Sequence, residues 1–244
     1  MFACILLFLN LFFNAGIRYY NSRFVWGRYE TMVGSLVVGD REFSHRLKGK
    51  TIVVTGANSG VGKETTRELY RHGARVIMAC RDKLETLKII EQFIKQYPES
   101  NGELVYKHLD LTSFASVKQF ADEIKRDEKQ LHTLINNAAV FGAPTQQTKD
   151  GFELNIQVNH LAPALLTILL LPALQGNHRL DDSLHSKVIM VTSPLFKGGT
   201  IDEKMFSKIS DKPSFSDSIP AKKIYASTKL ANLLFTRQLA NSPL

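Results

Sequence analysis

An α/β fold on one parallel sheet, with helices on both faces, is predicted by three features of this 244-residue sequence. Apolar, β-branched runs alternate with helical repeats from Lys50 onward. The first run, Ile52-Val53-Val54, is short and wholly apolar, as expected of a strand buried on both faces. It leads at once into the glycine-rich turn of Thr51–Gly62, and a helical pattern comes next with Val61, Thr65 and Leu69 on one face. Strand, glycine turn and helix together make the first half of a dinucleotide-binding, Rossmann-type βαβ unit. Gly56 permits the tight turn, and Gly60 and Gly62 let backbone come close to a pyrophosphate. Asn58, Ser59 and Val61 complete the loop, whose free N–H groups lie at the positive end of the helix dipole. A glycine turn alone is a weak signal, because the same residues also serve merely to reverse a chain.

With 44% hydrophobic residues the chain can bury one sizeable core, and one folded domain is expected. Cys4 and Cys80 supply neither a disulfide framework nor metal-ligand spacing, and the seven histidines are scattered. A reducing compartment and no metal site are expected. The formal net charge of +8 is spread along the chain without an aromatic-and-basic groove. That pattern favours a solvated basic surface, or one facing anionic lipid, over a nucleic-acid partner.

Taken in order, Met1–Ile17 is almost entirely apolar, interrupted by Asn10 and Asn14. It lacks a positive leading region and a small-residue cleavage site, so a retained anchor is favoured over a cleaved signal. Alone it is slightly short of the ~20 residues that span a bilayer, and Tyr19 and Tyr20 extend it. Arg18, Arg23 and Arg28 favour the cytosolic side for the folded domain. A buried core helix is the alternative. The expected division is a membrane anchor over 1–20, a basic linker over 21–48 and an α/β domain over 49–244.

Ala74–Ala79 reads as the second strand, ending in Cys80-Arg81-Asp82. Leu84, Leu87, Ile90 and Ile94 give the next helix an apolar stripe, with Pro98 beyond its end. Leu104–Leu109 is the third strand, and Phe114–Ile124 a helix with Phe114, Val117, Ala121 and Ile124 inward. Leu131–Ile135 is the fourth strand, a long helix covers Gly151–Leu174, and Lys187–Val191 is the fifth strand. Such alternation implies a doubly wound sheet with right-handed crossovers.

The end of the second strand is where a dinucleotide fold meets the adenosine ribose. A basic residue there pairs with a 2′-phosphate, and Arg81 in that turn points to NADP(H), with Asp82 beside it as the complication. Asp110, after the third strand, is placed to accept from the adenine amino group.

Five more motifs occur in order. Asn136-Asn137-Ala138-Ala139 comes after the fourth strand, then Lys149-Asp150-Gly151-Phe152-Glu153, Val158-Asn159-His160-Leu161, Val191-Thr192-Ser193 and Tyr225-Ala226-Ser227-Thr228-Lys229-Leu230-Ala231-Asn232. On these motifs, together with Thr51–Gly62, the chain resembles the short-chain dehydrogenase/reductase family over Leu47–Ala240. The similarity is to its retinol-dehydrogenase-like branch and to the dehydrogenase part of the WW-domain oxidoreductase. Ala139 stands where the family usually has glycine, and Trp26, the single tryptophan, leaves no WW module.

The resemblance implies that Tyr225 is the general acid/base, that Lys229 lowers its pKa and holds the nicotinamide ribose, and that Ser193 hydrogen-bonds the substrate carbonyl. It also implies that Asn159 supports a water-linked proton relay, and that small residues at Asn137-Ala138 let backbone pass the cofactor. Tyr225 and Lys229, four apart, share a helix face, and a nearby ammonium favours a phenolate. Residue 163 is proline, so the Asn159 carbonyl loses its helical N–H partner and is expected to stay free for the relay water. Between Ser193 and Tyr225, the polar stretch Pro194–Ile224 would border the substrate cleft, with Phe196, Met205, Phe206 and Phe215 able to pack it down.

The leading expectation is a membrane-anchored, NADP(H)-dependent oxidoreductase of a lipophilic alcohol or carbonyl, retinoid-, steroid- or lipid-like. By resemblance its membrane is the endoplasmic reticulum, with the domain in the cytosol. The competing expectation is a non-catalytic nucleotide-binding or interaction protein that keeps the site residues. Family members continue past the tyrosine–lysine helix with two more strands, whereas here Asn241-Ser242-Pro243 ends that helix. Lys187–Val191 is therefore expected at an open sheet edge, with weak turnover unless another chain covers it.

Overall fold

The computed structural model describes residues 3–4, 47–141, 146–175, 186–209 and 219–242. Apart from the backbone of Ala3–Cys4 and residues 47–48, the expected anchor and linker lie outside the described residues. The strands are β1 (Ala3–Cys4), β2 (Thr51–Thr55), β3 (Arg75–Cys80), β4 (Glu103–His108), β5 (Thr133–Asn136) and β6 (Lys187–Met190). They form one sheet in the order β1-β6-β5-β2-β3-β4, every pair parallel. The helices are α1 (Gly60–Arg71), α2 (Lys83–Gln96), α3 (Phe114–Asp127), the short α4 (Leu154–Ile156), α5 (Ala162–Gln175) and α6 (Ala221–Asn241). The five strands from β2 to β6 lie where the apolar runs place them.

Side chains alternate across the sheet, as strand geometry requires. Ile52, Val54, Val76 and Met78 pack with Tyr70, Ile89, Ile90 and Phe93 on one face. Val53, Ile77, Leu134 and Val188 pack with Val117, Phe120, Leu166 and Leu170 on the other. Both faces are thus covered, and the strands are apolar throughout for that reason.

Two helix faces differ from expectation. On α1 the buried positions are Gly62, Thr66 and Tyr70, one residue on from Val61, Thr65 and Leu69. Gly62 pins that rotation, because a Cβ there would lie 2.2 Å from the Gly56 carbonyl oxygen, so only this face can meet the turn. On α2 the inward residues are Thr86, Ile89, Ile90 and Phe93, while Leu84 is 74% exposed and Leu87 and Ile94 face solvent. The Asp82 carboxylate accepts from the Glu85 N–H at 2.9 Å, fixing where the helix starts, and burial of the large Phe93 ring sets its roll.

The long helix expected over Gly151–Leu174 runs without a gap over Leu154–Gln175, but with one wider turn inside it. After α4 come one π turn, Gln157–Leu161, and then α5. Pro163 has no N–H to give, and the wider turn absorbs the missing bond. Leu154–Gln175 is long and apolar enough to cross a membrane, its most apolar 18-residue stretch having mean hydropathy 1.5, but 61% of that stretch is buried inside the fold. It is the central core helix, packed against α3 and the sheet.

The expected open edge at β6 is also corrected. β1 lies along its first half, Ala3 opposite Lys187 and Cys4 opposite Val188. An edge strand presents unpaired N–H and C=O groups, and the N-terminal backbone supplies partners for some of them.

Candidate active site

The glycine turn joins β2 to α1. Gly56 has φ +64 and donates its N–H to the Ala79 carbonyl at 3.0 Å, which turns the chain off the sheet. Ser59 opens α1 without a side-chain cap, and no acidic residue stands in the first turn. The leading N–H groups therefore have no side-chain acceptor of their own, which suits an anion. Asn58, Ser59 and Gly60 line this turn, with Val61 and Gly62 in the first helical turn.

Asn137 braces that turn. Its Nδ2 donates to the Thr55 carbonyl at 2.9 Å, while the Asn137 and Ala138 N–H groups donate to Thr55 Oγ1 at 3.0 and 2.9 Å. Thr55, which motif reading passes over, is thus the post that ties the β5 end to the glycine turn. Asp110 Oδ1 accepts from the Thr112 N–H and hydroxyl at 2.9 and 2.7 Å, which holds the β4 exit in a tight turn. Arg81, at the end of β3, is exposed and has no carboxylate partner among the described residues. Its neighbour Asp82 is engaged as the N-cap of α2.

Ser193 comes just after β6 and caps the 3-10 turn Pro194–Gly198. Its hydroxyl is near enough to the Tyr225 phenol to lower that group's pKa. That 3-10 turn lies hard against α6: a Cβ on Gly199 would come within 2.6 Å of the Ala226 carbonyl oxygen, and Ser227 Oγ accepts from the Thr200 N–H at 3.0 Å. Met205, Ile156 and Ile224 form a small core with Phe206 and Ile219 packed against it, so the loop is pinned at Met205–Phe206. Phe215 lies outside the described residues.

Lys229, one turn beyond Tyr225, is only 2% exposed. Its Nζ donates to the Val191 carbonyl at 3.0 Å and lies 5.4 Å from the Tyr225 ring centre. Burial lowers the Lys229 pKa from 10.5 to about 8. The Tyr225 phenol is not depressed as expected. Burial pushes it up, and the Ser193 hydroxyl offsets only part of that. Desolvation is the larger effect on the phenol, while the Lys229 ammonium is turned to the Val191 carbonyl. Phe141, 61% exposed, sets its ring edge-on to Tyr225 with centres 4.8 Å apart.

Asn159, 1% exposed, clasps the loop after β5. Its Oδ1 accepts from the Val140 N–H at 2.7 Å, and its Nδ2 donates to the Val140 carbonyl at 2.9 Å and to Thr228 Oγ1 at 3.3 Å. The Asn159 carbonyl is not left free. Asn232 Nδ2 donates to it at 2.8 Å, so Pro163 vacates the carbonyl and Asn232 fills it. In the sequence Asn232 stands only as the end of a motif, with no role attached. Its spacing of seven from Tyr225, two helical turns, is the signal that sets both on one face. The described residues hold no cluster of three potential metal ligands.

These elements define a class: a doubly wound, Rossmann-type fold with a glycine turn after β2 and with a serine, a tyrosine and a buried lysine at the exit of β6 and on α6. The family model described as short chain dehydrogenase matches residues 50–202, and the chain belongs to that family. It is 42% identical over 202 residues to retinol dehydrogenase 14 of Mus musculus, and 41% identical over 195 residues to retinol dehydrogenase 12 of Homo sapiens. Each match takes in 80% of this chain but 57% of the relative, so the chain spans little more than half their length. Among solved structures, a protein of unassigned function from Mycobacterium paratuberculosis aligns with TM-score 0.64 and 34% identity, covering 82% of this chain and 67% of that one. A short chain dehydrogenase of Escherichia coli CFT073, solved with NADPH, shares the fold at TM-score 0.59 and 23% identity, over 81% and 73% of the two chains.

Proposed function

We propose that this chain is an NADP(H)-dependent oxidoreductase that reduces a lipophilic carbonyl compound. The observation that carries the reading is the gathering of Ser193, Tyr225 and Lys229 at the exit of β6 and on α6, at the same end of the parallel sheet as the uncapped N-terminus of α1. In this reading Gly56, Asn58, Ser59, Gly60, Val61 and Gly62 cradle the cofactor pyrophosphate. Asp110 stands by the adenine, Asn137 and Ala138 by the nicotinamide side, and Arg81 takes the 2′-phosphate. The exposed, unpaired guanidinium of Arg81 and the engagement of Asp82 elsewhere support that choice. The bound cofactor supplies a hydride to the carbonyl carbon.

The chain's own residues manage the oxygen and its proton. Ser193 Oγ donates a hydrogen bond to the carbonyl oxygen, and Tyr225 gives that oxygen its phenolic proton as charge develops there. Lys229 then stands near the phenolate and stabilises it until the proton is replaced. Asn159 contributes through position, holding the loop that carries Val140 and Phe141.

Phe141 and Leu195, both exposed apolar side chains, flank Tyr225 and Ser193 and favour an apolar substrate body. The similar proteins named retinol dehydrogenases support that class, retinol being a lipophilic alcohol. Attachment of residues 1–20 to the endoplasmic reticulum, with the domain in the cytosol, belongs to the same proposal and rests on the apolar run Met1–Ile17. A nucleotide-binding protein without turnover is the second reading, favoured by the commitment of Lys229 Nζ to the Val191 carbonyl. Fluorescence titration with NADPH and a panel of aldehydes and ketones separates the two. Binding with reduction supports the enzyme, binding without it the second reading, and no binding removes both.

A further inference from the structure

The π turn leaves one polar side chain in control of several others. Asn232 Nδ2 donates to the Asn159 carbonyl, so its Oδ1 faces His160, and the 2.9 Å contact requires His160 Nδ1 to carry the hydrogen. His160 is wedged by the Phe206 and Phe235 rings, with centres 5.6 and 6.3 Å away, and burial lowers its pKa. It is therefore a neutral donor held in one orientation. Asn232 itself is 3% exposed and uses both ends of its amide.

We propose that Asn232 is a positioning residue, which with His160 holds the Asn159 turn so that Val140 and Phe141 are set against Tyr225. The path is short and continuous. Asn232 holds the Asn159 backbone, and the Asn159 side chain holds both polar groups of Val140. The next residue, Phe141, abuts the Tyr225 ring. Tyr225 and Asn232 are both on α6, so the circuit opens and closes on one helix, with Thr228 bridging its middle through Asn159 Nδ2 and the Tyr225 carbonyl. Without Asn232 the buried Asn159 carbonyl loses its side-chain donor, a loss that favours rearrangement of the turn.

Asn232→Asp keeps the size and the acceptor for His160 but removes the donor to Asn159. Asn232→Leu removes both. In either variant the Val140 amide, which donates to Asn159 Oδ1, should exchange with solvent about tenfold faster or more, while the β2 and β3 amides keep their protection. The turnover arm alone rests on the oxidoreductase reading. There kcat for benzaldehyde reduction should fall about tenfold or more at unchanged NADPH affinity, because misplacement of about 1 Å suffices for such a loss. Unchanged Val140 exchange in Asn232→Asp overturns the proposal. So does a loss of protection across β2 and β3 in step with NADPH affinity, which marks a merely structural residue. If the parent protein reduces nothing, the oxidoreductase reading fails while Val140 exchange still decides the positioning role.

Discussion

Lys229 gives the sharpest test at the scale of the residue. Its folded pKa, about 8, lies below the ordinary 10.5, so between those values the unfolded chain holds a proton that the folded chain lacks. Its contribution to stability therefore rises with pH through that window, on the order of 3 kcal/mol in all. Tyr225 acts the other way above pH 10, where its raised pKa makes the folded chain hold a proton longer. Urea melts of the parent and Lys229→Met from pH 7 to 10.5 check this, and the variant should lose the rise. Arg81→Ala should weaken NADPH binding by on the order of 1.5–3 kcal/mol and leave NADH nearly unchanged. Equal losses for the two cofactors remove Arg81 from the 2′-phosphate. The candidate site residues stood out because six motifs occur in a fixed order. The sign of the Tyr225 shift was not legible, because it depends on how deeply the helix buries two side chains, which spacing does not carry.

At the scale of the element, the glycine turn and α1 depend on one close approach. A methyl at Gly62 would lie 2.2 Å from the Gly56 oxygen and 2.5 Å from Asn137 Nδ2. Gly62→Ala should cost about 1–3 kcal/mol by overpacking and abolish NADPH binding, measured by thermal melting and fluorescence titration. Retained affinity would contradict the role of this turn. Strand and helix order could be read from apolar runs alone. Helix roll was harder, since Leu84, Leu87 and Ile94 form as good a stripe as Thr86, Ile89 and Phe93. What decides between them is the Asp82 cap and the size of Phe93, which act in three dimensions. The π turn was half legible: Pro163 announces a missing hydrogen bond, but only the neighbouring helix reveals Asn232 as its replacement.

For the whole molecule, the N-terminal run faces two exclusive fates. Pairing of Ala3–Cys4 along Lys187–Val188 and insertion of the same segment in a bilayer cannot coexist. Membrane flotation of the full chain and of the chain lacking residues 1–20 tests the anchor, which predicts that only the full chain floats. A full chain that stays in the soluble fraction favours the sheet edge instead. The central claim is that one fold holds the cofactor and presents Tyr225 as the proton donor. Its most direct test is NADPH oxidation by the purified 244-residue chain with benzaldehyde, beside Tyr225→Phe. The account predicts carbonyl-dependent NADPH loss in the parent, and at least a ~100-fold lower rate at equal NADPH affinity in the variant. Equal rates in the two proteins would contradict it.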